Sequence, residues 1–302
     1  MFYGIKETRR DKIFLACNYL YVLIAFLIVF YPLVYMISAS ISDPKAVASG
    51  EMWLWPKGIT FEGYKRVFEN TNIWIGYENT ILYTVVGTLI NLLVTLPAAY
   101  ALSRRDFVGR NFFMAMFMVT MFFSGGLIPT YLLVKELGMM DSMWAIVLPS
   151  AASIWNIIVS RTFFQSSIPK ELQEAAQIDG CSNMRLFLRI ILPLSLPIIA
   201  VMALFYGVGN WNSYFSALIY LNDAGKYPLQ LVLRQILVLQ EMGAQGGGAI
   251  DVSSAAAMNS KAEIAALVKY AVIIVATIPV IVIYPFLQRY FVQGVMIGSV
   301  KG

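Results

Sequence analysis

The chain has 302 residues, of which 59% are hydrophobic and only 13% charged, far more apolar side chain than one soluble core can bury. Its net charge of +5 is modest, and the basic residues sit beside apolar runs, with no aromatic-interleaved basic stripe, which excludes nucleic acid as a partner. With no histidine and no cysteine cluster, the sequence excludes His-based catalysis and the common transition-metal sites, and its two cysteines, Cys17 in an apolar run and Cys181 in a polar stretch, are expected to form no disulfide.

A helix crosses a membrane with about 20 mostly apolar residues, and the pattern predicts an all-α polytopic membrane protein with six such helices, at about 13–40, 78–102, 111–134, 143–164, 186–208 and 265–288. Residues 1–12 are expected as a cytoplasmic N-terminus. Ser38-Ala39-Ser40 looks like a small-residue cleavage site, yet the preceding apolar run is about twice the length of a signal-peptide core, so the first helix is expected to be retained. Lys6, Arg9, Arg10 and Lys12 precede it, Arg104, Arg105 and Arg110 crowd the short link after the second helix, and Arg161, Lys170, Arg185 and Arg189 surround the fourth connection. Dense Lys and Arg mark the cytoplasmic side, which predicts both termini inside. The longer stretches 42–77 and 209–264 are expected as outer loops, their basic residues diluted and mixed with acids.

The segments Tyr83 to Leu102, Phe112 to Val134 and Met143 to Ser160 contain no charged residue. An ion-coupled transporter generally needs intramembrane acids or histidines. No G-x-x-x-x-G-K-[ST] loop occurs either, so the chain cannot cradle ATP phosphates itself. Both absences point to a separate ATPase.

Between the fourth and fifth apolar runs, residues 169–180 read as a short cytoplasmic helix. Pro169 suits its first turn, Glu171 its positive end, and Gly180 its left-handed close. Leu172, Ala175, Ala176 and Ile178 make a narrow apolar strip beside Glu174 and Asp179, a surface for docking. The other reading is a helix lying in the lipid headgroups, against which the face is small and polar. Downstream, Pro193 and Pro197 should bend the fifth span and so let it transmit motion.

Glu174-Ala175-Ala176, three residues, Gly180, nine residues, Ile190, one residue and Leu192-Pro193 resembles, spacing for spacing, the EAA motif of type I ATP-binding-cassette importer permeases. The resemblance implies that Glu174, Ala175, Ala176, Asp179 and Gly180, with Leu172, belong to a coupling helix seated in a groove of a nucleotide-binding subunit. The C-terminal run from Gln288 to Gly302 resembles the tail of the carbohydrate-import branch, which implies that Gly298, Val300, Lys301 and Gly302 reach toward the ATPases. Gly126-Leu127-Ile128-Pro129-Thr130 and Trp211-Asn212-Ser213-Tyr214 are similar to the polysaccharide and oligosaccharide permeases of that branch, relatives of the maltose-type permease. The partners implied are a second homologous permease, two ATP-binding subunits that hold ATP and Mg, an extracytoplasmic sugar-binding protein and membrane lipid. The permease itself, placed in the cell membrane, is not an enzyme and carries no cofactor.

Sugars are bound by aromatic faces and by amide or hydroxyl groups. Asn210, Trp211, Asn212, Tyr214 and Tyr220 supply both at the outer end of the fifth span, where the same rings also suit an interfacial belt. Tyr83, Asn91 and Tyr131 are further candidates for the substrate path or for helix-to-helix hydrogen bonds. The Gly246-Gly247-Gly248 region of the last outer loop has a flexible composition, and the maltose-type resemblance implies contact with the binding protein there. The first outer loop carries Trp53, Trp55, Phe61, Tyr64 and Phe68, suited to a binding protein or to headgroups. Import of a non-sugar solute would share the coupling motif. A membrane enzyme acting on lipid-linked sugars would need paired acids, and Glu78, Asp141 and Asp223 stand scattered in the sequence. A self-sufficient secondary transporter would predict charges inside the spans and an internal repeat.

Overall fold

A computed structural model of the chain describes residues 8–245, 268–283 and 285. Among these residues every regular element is helical. The chain separates into two units, residues 1–70 with 235–276 and residues 71–234 with 277–302.

In the first unit α1 spans Arg9–Ser40, opened by a capping box in which Thr8 accepts from the Asp11 amide while the Asp11 carboxylate accepts from Thr8. Apolar on every side and exposed along most of its length, α1 is built for hydrocarbon, not for a protein core. Its last residues, Ser38, Ala39 and Ser40, are buried instead. Ser38 donates to the Leu54 carbonyl and the Ser40 hydroxyl meets that of Tyr64 at 2.8 Å, which ties the helix end to the stretch holding α2 (Pro44–Ala48) and α3 (Glu62–Glu69). The small residues that resemble a cleavage site thus form a packed helix terminus.

The second unit is organised on α4, Thr71–Ser103. After it come α5 (Arg110–Phe122), which packs on α8, α6 (Leu127–Glu136), α7 (Met143–Val147) and α8 (Ile154–Ser167), which both pack on α4, and α9 (Lys170–Ile178). The chain continues through α10 (Asn183–Leu186), a π turn at Phe187–Ile191, α11 (Leu192–Leu194), α12 (Leu196–Trp211), α13 (Phe215–Tyr220) and α14 (Leu229–Gln245); α15 is Val268–Ile283. The α4 face at Thr80, Tyr83, Gly87, Asn91 and Thr95 is buried, a heptad-like run of small and polar groups inside an apolar helix. At Gly87 an added Cβ would lie 2.8 Å from the Asn210 amide nitrogen, so glycine is what allows α12 its close approach.

The six expected spans do not all appear as single helices among the described residues. Two helices, α1 and α4, are long and apolar enough to cross a membrane, and two further pairs qualify only as bent spans. The predicted helix 111–134 breaks at Ser124-Gly125-Gly126 with a bend of 110° between α5 and α6, because glycine weakens the helix and Gly126 takes φ +86°. The predicted 143–164 is interrupted between α7 and α8, where Pro149 cannot continue a helix. The expected 186–208 bends by 81° at Ser195, between Pro193 and Pro197. Of 265–288, α15 is the described part. The stretch 209–264, expected as a loop, instead contains α13 and α14.

Candidate functional site: an exposed helix and the ladder behind it

Helix α9 starts one residue later than expected. Pro169 is extended (ψ 140°) and caps the helix from outside, leaving Lys170 as the first helical residue and Glu171 in the first turn. At the other end Gly180 adopts φ +69°, its N–H donating to the Gln177 carbonyl at 3.0 Å while Cys181 donates to Ala176 at 2.9 Å. These two bonds make a Schellman close, which needs a left-handed residue and so favours glycine.

The apolar strip read from the sequence is divided. Leu172 and Ala176 turn inward and pack with Phe164, Ile168, Leu186 and Phe187, whereas Ala175 and Ile178 face outward, Ile178 with 86% of its surface exposed. Glu174, Asp179 and Gly180 are also exposed, and neither Glu174 nor Asp179 forms an ion pair among the described residues. Leu172 is therefore an internal anchor for α9, and the outward face is Glu174, Ala175, Ile178 and Asp179. An apolar tip rimmed by carboxylates, held on a packed base, is suited to insertion into a partner's groove.

From α9 the chain passes directly into the bent fifth segment. Ser182 caps α10 by accepting from the Arg185 amide, and the π turn at Phe187–Ile191 carries Ile190. Ser195 is fully buried and its hydroxyl donates to the Ile191 carbonyl at 2.7 Å, an acceptor left by the Ser195 amide, which bonds to Leu192 at the bend. Tyr100 of α4 stacks on Phe187 at 5.0 Å and meets Phe164 edge-on at 5.7 Å, so the cluster under α9 also grips the base of the bend.

Of the sequence-predicted path residues, Tyr83 and Asn91 lie on α4. Tyr83 is buried and donates to the Lys226 carbonyl at 2.8 Å; Asn91 is buried, donates to Ser150 and accepts from Asn210 at 3.1 Å. Trp211 is buried edge-on against Tyr77, and Tyr131 stacks on buried Tyr220. Asn212 and Tyr214 are exposed, Asn212 donating to Val208 and Tyr214 lying under Arg234 at 5.8 Å. Asn91 and Tyr83 thus share the buried face of α4, Asn210 meets Asn91 from α12, and Asn212 and Tyr214 are open. The tail residues Gly298, Val300, Lys301 and Gly302, and the Gly246-Gly247-Gly248 segment, lie outside the described residues.

Two acids that look scattered in the sequence are gathered in space. Asp141, in a left-handed conformation (φ 55°), accepts from the amides of Asn222 and Asp223 and pairs with Lys226 at 2.7 Å, while Asp223 lies 3.7 Å from the same ammonium. The Lys226 bond and the two amides hold the Asp141 carboxyl down at about 2. Asn79 donates to the Gly225 and Tyr227 carbonyls and Thr80 accepts from the Leu229 amide, so the whole turn is pinned to the end of α4 away from α9. All three acids differ in setting: Glu78 is exposed on α4 and makes no ion pair among the described residues. Lys226, Asn79 and Thr80 escape sequence reading; the signal for Thr80 is its place on the small-and-polar face of α4.

Residues 72–297 match the family model described as "Binding-protein-dependent transport system inner membrane component". The chain is 42% identical over 296 residues to protein LplC of Bacillus subtilis, with 98% of this chain and 97% of that protein covered. It is 41% identical over 293 residues to the polygalacturonan/rhamnogalacturonan transport system permease protein YtcP of the same organism, covering 97% of this chain and all (100%) of that protein. Its fold is similar, at a TM-score of 0.83 and 34% identity, to a chain of a bacterial ABC transporter involved in the import of the acidic polysaccharide alginate, with 96% of this chain and 99% of that chain covered. The chain therefore belongs to the binding-protein-dependent transport system inner membrane components, the membrane-embedded permeases, not enzymes, that work with a binding protein and an ATPase in ABC importers.

Proposed function

We propose that this chain forms half of the translocation path for an oligosaccharide, together with a second homologous permease, two ATP-binding subunits and an extracytoplasmic sugar-binding protein. The single observation that carries the coupling part is α9: an outward tip of Ala175 and Ile178 beside Glu174 and Asp179, closed by Gly180, on a base packed through Leu172 and Ala176. Glu174, Ala175, Ala176, Asp179 and Gly180 constitute the coupling helix, and ATP with Mg is bound by the partner subunits. Closure of the ATPases pushes α9, and the motion passes through the 81° bend into α12.

The transmembrane domain runs from residue 13 to 302, with six crossings. These are α1, α4, the α5 and α6 pair, the α7 and α8 region, the α10 to α12 segment and the α15 region, with both termini inside and the tail residues Gly298 to Gly302 reaching the ATPases. The sugar class is supported by the transport names of the relatives and by Asn212 and Tyr214, an amide and a ring left exposed beyond α12, with Asn210, Asn91, Tyr83, Trp211 and Tyr131 shaping the path behind them.

The test is reconstitution of the chain with its second permease and ATPases. ATP hydrolysis is measured with the binding protein loaded with each of a panel of neutral and acidic oligosaccharides. Stimulation by an oligosaccharide is expected. Stimulation by an amino acid or phosphate-loaded protein alone would move the substrate to another class, and no stimulation by any sugar would overturn the carbohydrate reading.

A further inference from the structure

Beneath α9 lies a cavity of about 560 Å³ between the end of α4, the link to α5 and the end of α8. Five cationic side chains, Arg104, Arg105, Arg110, Arg161 and Lys170, face two carboxylates, Asp106 and Glu174. Asp106 is already committed to Arg104, at 2.8 and 2.5 Å. The other four cations form no ion pair among the described residues. Two of them are held in place by the backbone end of α4: Arg161 donates through Nε to the Leu102 carbonyl at 3.0 Å and Arg110 through Nη1 to the Arg104 carbonyl at 3.4 Å. These bonds fix the guanidiniums without neutralising them, and both line the one cavity. Arg161 and Arg110 each retain further N–H donors without a protein acceptor among the described residues, which is the arrangement an oxyanion fills.

The surroundings say which oxyanion. The floor of the cavity is apolar, with buried Phe164 and Ile168. Beside it a smaller recess of about 220 Å³ shares Arg105 and Arg110 and is also walled by Phe107, Gly109, Asn111 and Phe112. Val108 between them is 90% exposed and Phe112 70% exposed. A basic pocket whose rim carries exposed aromatic and aliphatic groups, at the end of a helix long enough to cross a bilayer, suits a ligand with a phosphate head and hydrocarbon tails.

We propose that this cavity binds the phosphate of an anionic membrane phospholipid, with Arg105, Arg110 and Arg161 on the headgroup and Phe107, Val108 and Phe112 against the acyl chains. The opposite wall is Gln173, Glu174 and Gln177 of α9 itself. A bound headgroup therefore steadies the helix proposed to receive the ATPase, and the lipid becomes a regulator of coupling. Binding in a micelle does not depend on the orientation or on the transported solute, so this proposal stands or falls separately from the function proposed above.

The experiment uses the purified full chain in neutral detergent, equilibrated with mixed phosphatidylglycerol and phosphatidylcholine, with retained lipid identified by native mass spectrometry. The wild-type chain is expected to retain phosphatidylglycerol in preference, with the preference weakening as salt rises. Arg105→Gln and Arg110→Gln should each lower it by about fivefold, the equivalent of roughly 1 kcal/mol per surface cation, with the helical circular dichroism unchanged. Arg110→Lys, which keeps the charge, should retain most of the preference; a loss as large as that of the glutamine variant would assign Arg110 a structural role and overturn the site. Equal retention of both lipids would also overturn it, as would competition by inorganic phosphate at the same concentration as the lipid, which would mark a soluble-anion site. In the assembled transporter, expulsion of the lipid with cross-linking of Arg110 to an acidic ATPase residue would give the cavity to the ATPase instead.

Discussion

The two ends of the α4 unit treat their polar groups in opposite ways. At the end carrying the 221–229 turn, Asp141, Lys226 and Asp223 pair with one another, and the turn's backbone is taken up by Asn79, Tyr83 and Thr80. At the α9 end, four cations and the Glu174 and Asp179 carboxylates find no ionic partner among the described residues, and Ile178 projects from the surface. Both ends carry acids and bases in sequence, so the presence of charged residues does not say which is finished. What differs is whether partners converge in space. A charged cluster satisfied internally is an element of the fold, whereas one left open, next to an exposed apolar tip, is an element of an assembly.

The largest effect that would break this contrast belongs to Ile178. Since the side chain is 86% exposed, Ile178→Asp should leave the fold and the membrane insertion intact. It would place a buried, unpaired charge in the proposed ATPase groove, so ATPase-dependent uptake should fall more than tenfold, the equivalent of roughly 1.4 kcal/mol or more of lost coupling contact. Uptake that persists unchanged would make the open end merely a solvated surface. Gly180→Val acts one step behind, by straining a φ of +69°. The left-handed conformation costs a non-glycine residue about 1–2 kcal/mol, more for a β-branched one, so uptake should drop with little change in expression.

Next comes the ladder that joins the two ends. Gly87→Val would drive a branched side chain into Asn210, whose amide already lies 2.8 Å from where a Cβ would stand. Separation of α4 from α12 should cost about 1–3 kcal/mol, read as a lowered thermal midpoint of the detergent-solubilised chain. A neutral outcome would show that the two helices part without penalty and that α4 does not tie the ends together.

How much of this was legible depended on whether the signal was local. The EAA spacing from Glu174 to Pro193, the glycine close at Gly180 and the prolines of the bend are punctuation within a few residues, and α9, its left-handed terminus and the 81° bend appear where they were expected. Hydropathy located the apolar runs but could not show that Ser124-Gly125-Gly126 and Pro149 break two of them, because a membrane segment tolerates glycine and proline at either a kink or a full stop. In sequence the strip on α9 reads as one surface, because composition does not reveal that Phe164 and Phe187, brought by other elements, claim Leu172 and Ala176. Asp141 and Asp223 looked unrelated for the same reason: 82 residues separate the partners in their amide bond. Asn91 and Tyr83 were legible as polar groups in apolar helices, but their hydrogen-bond partners were not.

The closed end carries its own pH signature. Asp141 has its carboxyl lowered from 3.8 to about 2 by the Lys226 bond and the two amides. A group whose pKa is depressed on folding contributes stability that is present above its unfolded value and lost as pH falls through the folded one. The thermal midpoint should therefore hold steady down to about pH 4 and decline from there toward pH 2 as this carboxylate protonates. Asp141→Asn keeps the shape and tolerates the left-handed φ of 55°, so it should flatten that part of the profile at the expense of a lower midpoint at neutral pH. An unchanged acid limb would mean that the Lys226 pairing is incidental.

The smallest effect tests the limit of the contrast, since not every unmatched group awaits a partner. Ser160, on α8 one position before Arg161, is fully buried, and its hydroxyl has no hydrogen-bond partner among the described residues. No docking protein can reach it, so unlike Glu174 or Ile178 it has nothing to gain from assembly. A serine inside a helix usually returns its proton to a carbonyl one turn back; Ser195 does so to Ile191, and Ser160 does not. Removing the hydroxyl relieves an unsatisfied group, and alanine is the better helix former. Ser160→Ala should thus leave uptake unchanged and raise the thermal midpoint by about 1–3 °C. A lower midpoint would show that the hydroxyl is bonded in the protein, and that this stretch of α8 is as completely satisfied as the turn around Lys226.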